Sequence, residues 1–423
     1  MVRGAVPGYD GSFRWATLIY PSPRTRGRAP NRYLAGVQIT SKLPDVGTTI
    51  FTEMSRLAAE HGAINLSQGF PDFPIDGELK RLVDHHVRAD HNQYAPMAGL
   101  GELRLAIARK KERCYGLLPD PEREITITNG ATEAIFSSIA AFVHPGDEVI
   151  FFEPAYDCYR PAVVVQGGVP VPLRLRSPNY RIDWNEVRDR ITPRTRMIIV
   201  NSPHNPTGTV LEAADLEALR EVTQGTDILV LSDEVYQHLV YDGRRHESVL
   251  RYPELYARSV VTMSFGKTFH ATGWRVGYAI APPNITAELR KVHQFNTFSI
   301  TRPLQHALAD YLAEPGHYIR LADYYQRKRD LFRQALDGSG FGLLNAAGTY
   351  FILARFDRLS ELPDQQFARW LTREHGVAVI PISSFYSDGT DEGIVRFCFA
   401  KTEQTLLSAA ARLRMVPQKA NLP

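Results

Sequence analysis

Cysteine is scarce in this chain: three in 423 residues, at Cys114, Cys158 and Cys398. The number is odd and the spacing scattered, which excludes a disulfide framework and a thiolate metal motif and makes a reducing cytoplasm the expected compartment. No apolar run reaches the roughly 20 residues that a membrane-spanning helix needs, so no membrane partner is expected. One-signed charge is also lacking. The net charge of +3 leaves 49 basic side chains almost balanced by 46 acidic ones, which offers little field for nucleic acid. Acids are nearly missing only from residues 1–40, where Arg3, Arg14, Arg24, Arg26, Arg28 and Arg32 face Asp10 alone. Such a start fits a transit peptide or a nucleic-acid arm. No amphipathic stripe or cleavage-like pattern accompanies it, and a disordered basic extension is the expectation. The rest is ordinary for a globular protein, with 44% hydrophobic and 22% charged residues and enough length for two domains.

From Glu124 to Ala281, short apolar strands alternate with helices. Strands are expected at Ile125–Thr128, Glu148–Phe152, Val169–Leu173, Met197–Val200, Ile228–Leu231, Val260–Ser264 and Val276–Ala281. That rhythm predicts an α/β domain with a doubly wound, mainly parallel sheet, whose ligands sit beyond the carboxyl ends of the strands. Outside it, helices are expected at Asp45–Gly62, Glu78–Ala89 and Glu102–Tyr115. A helical tract should run from Arg302 to about Leu336, including Tyr318–Phe332. Helices Asp364–His375 and Thr402–Arg414, with strands in 339–352 and 377–399, read as a smaller α+β domain. The expected division is 41–85 as the N-terminal part of the small domain, 86–310 as the large domain and 311–423 as the C-terminal small domain.

The chemistry centres on Val260–Pro283, VVTMSFGKTFHATGWRVGYAIAPP. A lysine, Lys267, stands in the turn between two apolar strands. Burial makes an ammonium costly and favours the neutral, nucleophilic amine, which can form a Schiff base with an aldehyde cofactor. Three other segments supply what pyridoxal phosphate requires. Asp233, at the end of an apolar strand, can keep the cofactor's ring nitrogen protonated. Tyr236 and Asn205, the latter in NSPHNPTG, can bond the ring oxygen. Gly130, Ala131 and Thr132 open an apolar helix whose free N–H groups suit a phosphate. Tyr156 follows another strand end, where an aromatic ring can stack on the cofactor.

These residues identify a resemblance. The segments LSQGFPDFP, QYAPMAGLGELR, NGATEA, NSPHNPTG, SDEVY, SFGKTFHATGWRVGY and IVRFCFA, in this order from about Ile50 onward, resemble the fold type I, class I/II aminotransferases, most of all the branch with methionine and kynurenine aminotransferases. The resemblance implies pyridoxal 5'-phosphate as cofactor and an amino acid donor with a 2-oxo acid acceptor, used in ping-pong fashion. It implies a homodimer in which Tyr94 reaches the phosphate of the neighbouring subunit. It makes Lys267, Asp233 and Tyr236 catalytic, and gives Ser264 and Arg275 to the phosphate. Gly69 should approach the substrate carboxylate through its backbone, and Arg396 should pair with it. One departure is Gly266, where many relatives carry serine, a difference of at most one hydroxyl.

Phe70, Phe73, Tyr94, Tyr156 and Phe298 are expected to wall an apolar substrate pocket. No arginine is placed to meet a side-chain carboxylate, with Arg302 near the domain junction as the possible exception. Large neutral donors are therefore expected. His85, His86 and His91 lie close together but without a carboxylate or cysteine at ligand spacing, and no metal is expected. The same fold and cofactor serve C–S lyases and decarboxylating or ring-forming enzymes, which stay open as alternatives. A cofactor-binding regulator is disfavoured, because residues 1–40 lack the length and periodicity of a helix-turn-helix.

Overall fold

The computed structural model describes residues 39–419, and the expected basic extension lies almost wholly outside them. From Lys42 onward the described residues form one compact unit. Strand β1 (Ile64–Asn65) lies near the start. Strands β2 (Ile125–Thr128), β3 (Glu148–Glu153), β4 (Val169–Arg174), β5 (Thr195–Asn201), β6 (Leu229–Asp233), β7 (Ser259–Ser264) and β8 (Gly277–Ile280) follow. Strands β9 (Gly342–Leu343), β10 (Phe351–Arg355), β11 (Val377–Ala378), β12 (Ile380–Pro381) and β13 (Ile394–Cys398) come last.

The large sheet has the order β2-β8-β7-β6-β5-β3-β4. Strands β4, β3, β5, β6 and β7 run parallel, and β8 runs against both its neighbours. Strands such as ITIT and SVVTMS are buried along their whole length. Apolar and β-branched residues at successive positions suit a sheet covered on both faces. The helix Gly130–Phe142 packs on one face against Pro283–Asn296 and against β7 and β8. All seven expected strands exist, most of them a residue or two longer or shorter at the ends.

The direction of β8 has a consequence for the site. Gly277, its first residue, pairs with both Thr128 and Ser264 at the carboxyl ends of β2 and β7. The residues just before β8 are thereby carried to the edge where the parallel strands end. A Cβ at Gly277 would lie 2.6 Å from the Met263 carbonyl oxygen and 2.8 Å from the Ala131 nitrogen, so the approach requires glycine.

The second sheet has the order β12-β13-β10-β9 and is antiparallel. β1 pairs in parallel with β11, at Ile64–Val377 and Asn65–Ala378. This joins the segment before the large sheet to the one after it.

Two helical expectations change. The first helix runs Ile50–Glu60 rather than from Asp45, because the Thr49 side chain accepts the Thr52 N–H and caps it. The tract after Arg302 is three helices, Arg302–Tyr311, Gly316–Ile319 and Leu321–Ala335. Pro315 and Gly316 interrupt it, since proline lacks the N–H that a continuous helix needs. The expected helix Asp364–His375 is present with those bounds.

Candidate active site

A pocket of ≈ 560 Å³ opens at the carboxyl edge of the large sheet and is lined by Ala131, Thr132, Tyr156, Asn205, Asp233 and Lys267, among others. A second pocket of ≈ 640 Å³ adjoins it and shares Tyr156, Asn205, Tyr236 and Lys267. It adds Gly69, Phe70 and Arg396.

Lys267 is the third residue of the short helix Phe265–Thr268, which follows β7. The Ser264 hydroxyl caps that helix by accepting the Gly266 N–H at 3.2 Å. The Lys267 Nζ donates to the Gly69 carbonyl at a long 3.4 Å. Burial pulls its pKa down to about 8, and Arg275 and Arg396 add to the effect. Gly266 is tightly held: a Cβ there would stand 3.0 Å from Thr272 Cα. The departure at 266 thus involves packing as well as a hydroxyl.

Asp233 ends β6 and is buried. Burial pushes its pKa up to about 6, while the Tyr159 hydroxyl and the Val235 N–H pull the other way. Tyr159 OH donates to Asp233 Oδ2 at 2.6 Å. The sequence reasoning missed Tyr159. Its only signal was position, three residues after Tyr156 on the first turn of the helix Tyr159–Val165. Tyr236 is buried with its ring 5.1 Å from that of Tyr350.

Asn205 and Arg396 come together from distant segments. Arg396, in β13, is fully buried, and burial lowers its pKa to about 10. Its Nη1 donates to Asn205 Oδ1 at 2.7 Å, its Nη2 donates to the Ser67 carbonyl at 3.1 Å, and its Nε has no partner. Because Asn205 Oδ1 accepts from arginine, the amide Nδ2 is the end left free to donate. A second residue the sequence reasoning missed fixes the loop: Asn201 Oδ1 accepts the Asn205 N–H at 2.8 Å, and Asn201 Nδ2 donates to the Asp233 carbonyl at 2.8 Å.

Gly130, Ala131 and Thr132 form the first turn of the helix Gly130–Phe142. Arg275, held in a left-handed conformation at φ 54°, reaches Gly130. A Cβ at Gly130 would lie 2.5 Å from the arginine's Nη2, and Gly130 itself has φ 71°. Guanidinium, free helix N–H groups and the Ser264 hydroxyl therefore form one cradle for an anion. The Tyr156 hydroxyl lies 3.3 Å from Thr132 Oγ1.

Gly69 is turned with its carbonyl toward Tyr350, whose hydroxyl donates to it at 2.5 Å. Phe70 stands at the pocket mouth, half exposed.

Three expected wall residues do not line either pocket within one chain. Phe73 packs edge-on against His270 and Tyr324. Phe298 leaves its helix in a left-handed turn at φ 68°. That conformation aims it at Tyr94, with ring centres 5.4 Å apart. Tyr94 itself is 79% exposed. The apolar wall beside Lys267 is instead Phe51, Phe70, Tyr156 and Phe351. Arg302 also stays out of the pocket and lies 3.4 Å from His306 Nε2. Among the described lining residues of the two pockets, the cations are Lys267, Arg275 and Arg396, and the carboxylates are Asp233 and Asp157.

Residues 61–413 match the family model described as aminotransferase class I and II. The chain is 52% identical to the methionine aminotransferase of Escherichia coli, across 89% of this chain and 98% of the relative. It is 33% identical to human kynurenine–oxoglutarate transaminase 1, across 88% and 97% of the two chains. The solved structure of an Escherichia coli protein with an identified methionine aminotransferase function superposes with a TM-score of 0.88, at 51% identity, covering 89% of this chain and 99% of that one.

Proposed function

The chain belongs to the class I and II aminotransferases, and on that premise we propose that it moves the amino group of a large neutral amino acid, methionine foremost, to a 2-oxo acid, using pyridoxal 5'-phosphate bound at the carboxyl edge of the sheet. The observation that carries the reading is that Lys267 stands in both adjoining pockets, with the buried carboxylate of Asp233 in one and the buried guanidinium of Arg396 in the other.

The residues fit the cofactor. The cradle of Arg275, Ser264 and the helix start at Gly130, Ala131 and Thr132 suits its phosphate. Asp233 suits a pyridine nitrogen that must stay protonated. Asn205 Nδ2 and the Tyr236 hydroxyl suit its ring oxygen, and Tyr156 suits its ring face. When bound, the cofactor supplies an electron sink that makes the donor's Cα proton removable.

The chain's own groups do the rest. Arg396 presents a planar fork to the donor carboxylate, and its partnerless Nε leaves donor capacity unused. Fixing the carboxylate fixes which Cα bond faces the ring. Lys267 Nζ, with its pKa lowered to about 8, takes the Cα proton and returns it at another atom. Burial of Asp233 keeps water from screening its charge at the ring nitrogen.

The wall of Phe51, Phe70, Tyr156 and Phe351 supports a large neutral side chain, and a thioether against aromatic rings gains ~0.3–1.5 kcal/mol. No lining cation remains for a side-chain carboxylate once phosphate and α-carboxylate are matched. Tyr94 and Phe298, exposed in one chain, support a homodimer in which Tyr94 completes the neighbouring subunit's site. The domain division 41–85, 86–310 and 311–423 is retained as part of the proposal. So is a cytoplasmic location, supported by three unpaired cysteines. Among the described residues, no helix is long and apolar enough to cross a membrane.

The test is a panel of amino acid donors in single half-reactions, read as conversion of the cofactor to its amino form. Methionine and phenylalanine should lead, with alanine and aspartate far behind. Release of ammonia from the donor without that conversion would indicate lyase chemistry, and a fastest rate with aspartate would refute the wall.

A further inference from the structure

A cluster of three histidines lies apart from the Lys267 pocket. The helix Gly77–Arg88 carries His86, the turn after it carries His91, and the helix Arg302–Tyr311 brings His306 beside both. His86 and His306 are buried and His91 is half-buried. One ring nitrogen from each lies within 4.8 Å of the other two. His86 Nδ1 and His91 Nδ1 are 3.0 Å apart. The ring centre of His86 is 5.1 Å from that of His91 and 5.0 Å from that of His306. Around a tetrahedral zinc with 2.0–2.1 Å bonds, neighbouring ligand nitrogens stand about 3.3 Å apart. The trio has to close by no more than about 1.5 Å, and the rings, now stacked within 29° of parallel with His91 and His306 centred 4.0 Å apart, have to turn so that their lone pairs converge.

The outward nitrogens are already engaged. His86 Nε2 lies 2.8 Å from Asp310 Oδ2, and His306 Nδ1 lies 3.0 Å from Glu102 Oε2. A carboxylate can only accept, so these two nitrogens carry the protons and donate. In the neutral rings the remaining nitrogens, His86 Nδ1, which faces His91, and His306 Nε2, are then lone-pair bearing. Metal-ligating histidines commonly give their second N–H to a carboxylate in this way, which fixes the tautomer and raises the basicity of the ligand. The inner contacts are a poor substitute for an ion. The His86–His91 pair shares one proton, and His306 Nε2 meets only the half-exposed Arg302 Nε at 3.4 Å.

We propose that His86, His91 and His306 form a binding site for a late first-row divalent cation, zinc above all. Three neutral imidazoles favour zinc, copper or nickel over magnesium or calcium, which prefer oxygen ligands. The fourth position is left to water. Binding requires the proton between His86 and His91 to pass to His91 Nε2, so that all three rings stay neutral and His91 Nδ1 is free to ligate, and Arg302 turns outward. The ion would tie the turn leading to Tyr94 to the helix Arg302–Tyr311, joining segments more than 200 residues apart in sequence, as the separation of 224 between His86 and Asp310 indicates. Its expected effect is on stability, since a ligand that binds only the folded chain raises the melting temperature.

The test uses the full-length holoenzyme after treatment with EDTA. Co²⁺ serves as the probe because its visible d–d absorption falls to the red of the cofactor bands. A saturable band is expected at one Co²⁺ per chain, abolished by equimolar Zn²⁺. Zn²⁺ should also raise the melting temperature by several degrees. His91→Ala, at a half-exposed turn, should keep the fold, checked by circular dichroism, and lose both the band and the shift. His306→Ala should lose them too. No saturable band in the wild type would overturn the proposal. A band of undiminished strength in His91→Ala would also overturn it.

Discussion

Replacing Tyr159 by phenylalanine removes one hydroxyl and leaves the aromatic ring in the core. That hydroxyl donates to Asp233 Oδ2 at 2.6 Å, from a residue 2% exposed. A hydrogen bond to a charged group is worth ~1.5–3 kcal/mol, and each pKa unit corresponds to about 1.4 kcal/mol. Losing it should raise Asp233 by roughly one to two units from its present value of about 6. The sign follows from the bond, which favours the charged form. The free variant would then hold a partly neutral carboxyl near pH 7, with less charge to offer a protonated pyridine nitrogen. The assay is the dissociation constant of pyridoxal phosphate across pH 6 to 9, followed by absorbance. Binding at pH 7 should weaken about 2- to 10-fold, and the acid-side weakening should move to higher pH by about one to two units. Stability should respond in the same direction. A carboxyl whose folded pKa is raised stabilises the fold below its unfolded value of 3.8, and that contribution is lost as pH rises through about 6. In the variant the loss should extend to higher pH. In an Asp233→Asn background the phenylalanine should add little, because the two residues act through one contact. Binding within about twofold of wild type and an unshifted pH series would refute the reasoning.

Lys267→Ala should abolish turnover, and borohydride should fix the cofactor of the wild type to Lys267, with a peptide map as the check; attachment to another lysine would refute the assignment. Cofactor capture by the free wild-type chain should rise with pH and level off above about 8, the value to which burial lowers Lys267, whereas an exposed lysine would keep gaining toward about 10.5. Arg396→Lys keeps the charge but loses the fork that now holds Asn205 and Ser67. It should cost ~10-fold or more in kcat/KM for the donor, mostly through KM, and an unchanged KM would argue against carboxylate binding there. Mixing inactive Tyr94→Ala with inactive Lys267→Ala and allowing subunit exchange should restore activity, because one of the two mixed sites then holds both native residues. A fully active monomer in sedimentation would refute the shared site.

Much of the molecule was determined by local sequence. Strands such as Glu148–Glu153 and Thr195–Asn201 carry apolar residues at successive positions and are bounded by turns, so their existence follows from burial on both faces. Their carboxyl ends name the edge where a ligand sits, and Lys267, Asp233, Asn205 and the turn at Gly130 follow those ends directly. The family resemblance rests on the same segments. Other features depended on contacts between residues far apart, which no short-range pattern encodes. The antiparallel course of β8 carries Arg275 to Gly130. The left-handed turn at Phe298 removes an expected wall residue and directs it to Tyr94, while Phe51 and Phe351 take its place. Tyr159 acquires its role because Asp233, 74 residues further on, comes to rest 2.6 Å from its hydroxyl. The histidine cluster makes the same point: His86 and His91 alone lack ligand spacing, and only the packing of the helix Arg302–Tyr311 adds His306 and Asp310. Periodicity reports which face of an element is buried, whereas a site needs several elements held at fixed distances, and that is decided by tertiary packing.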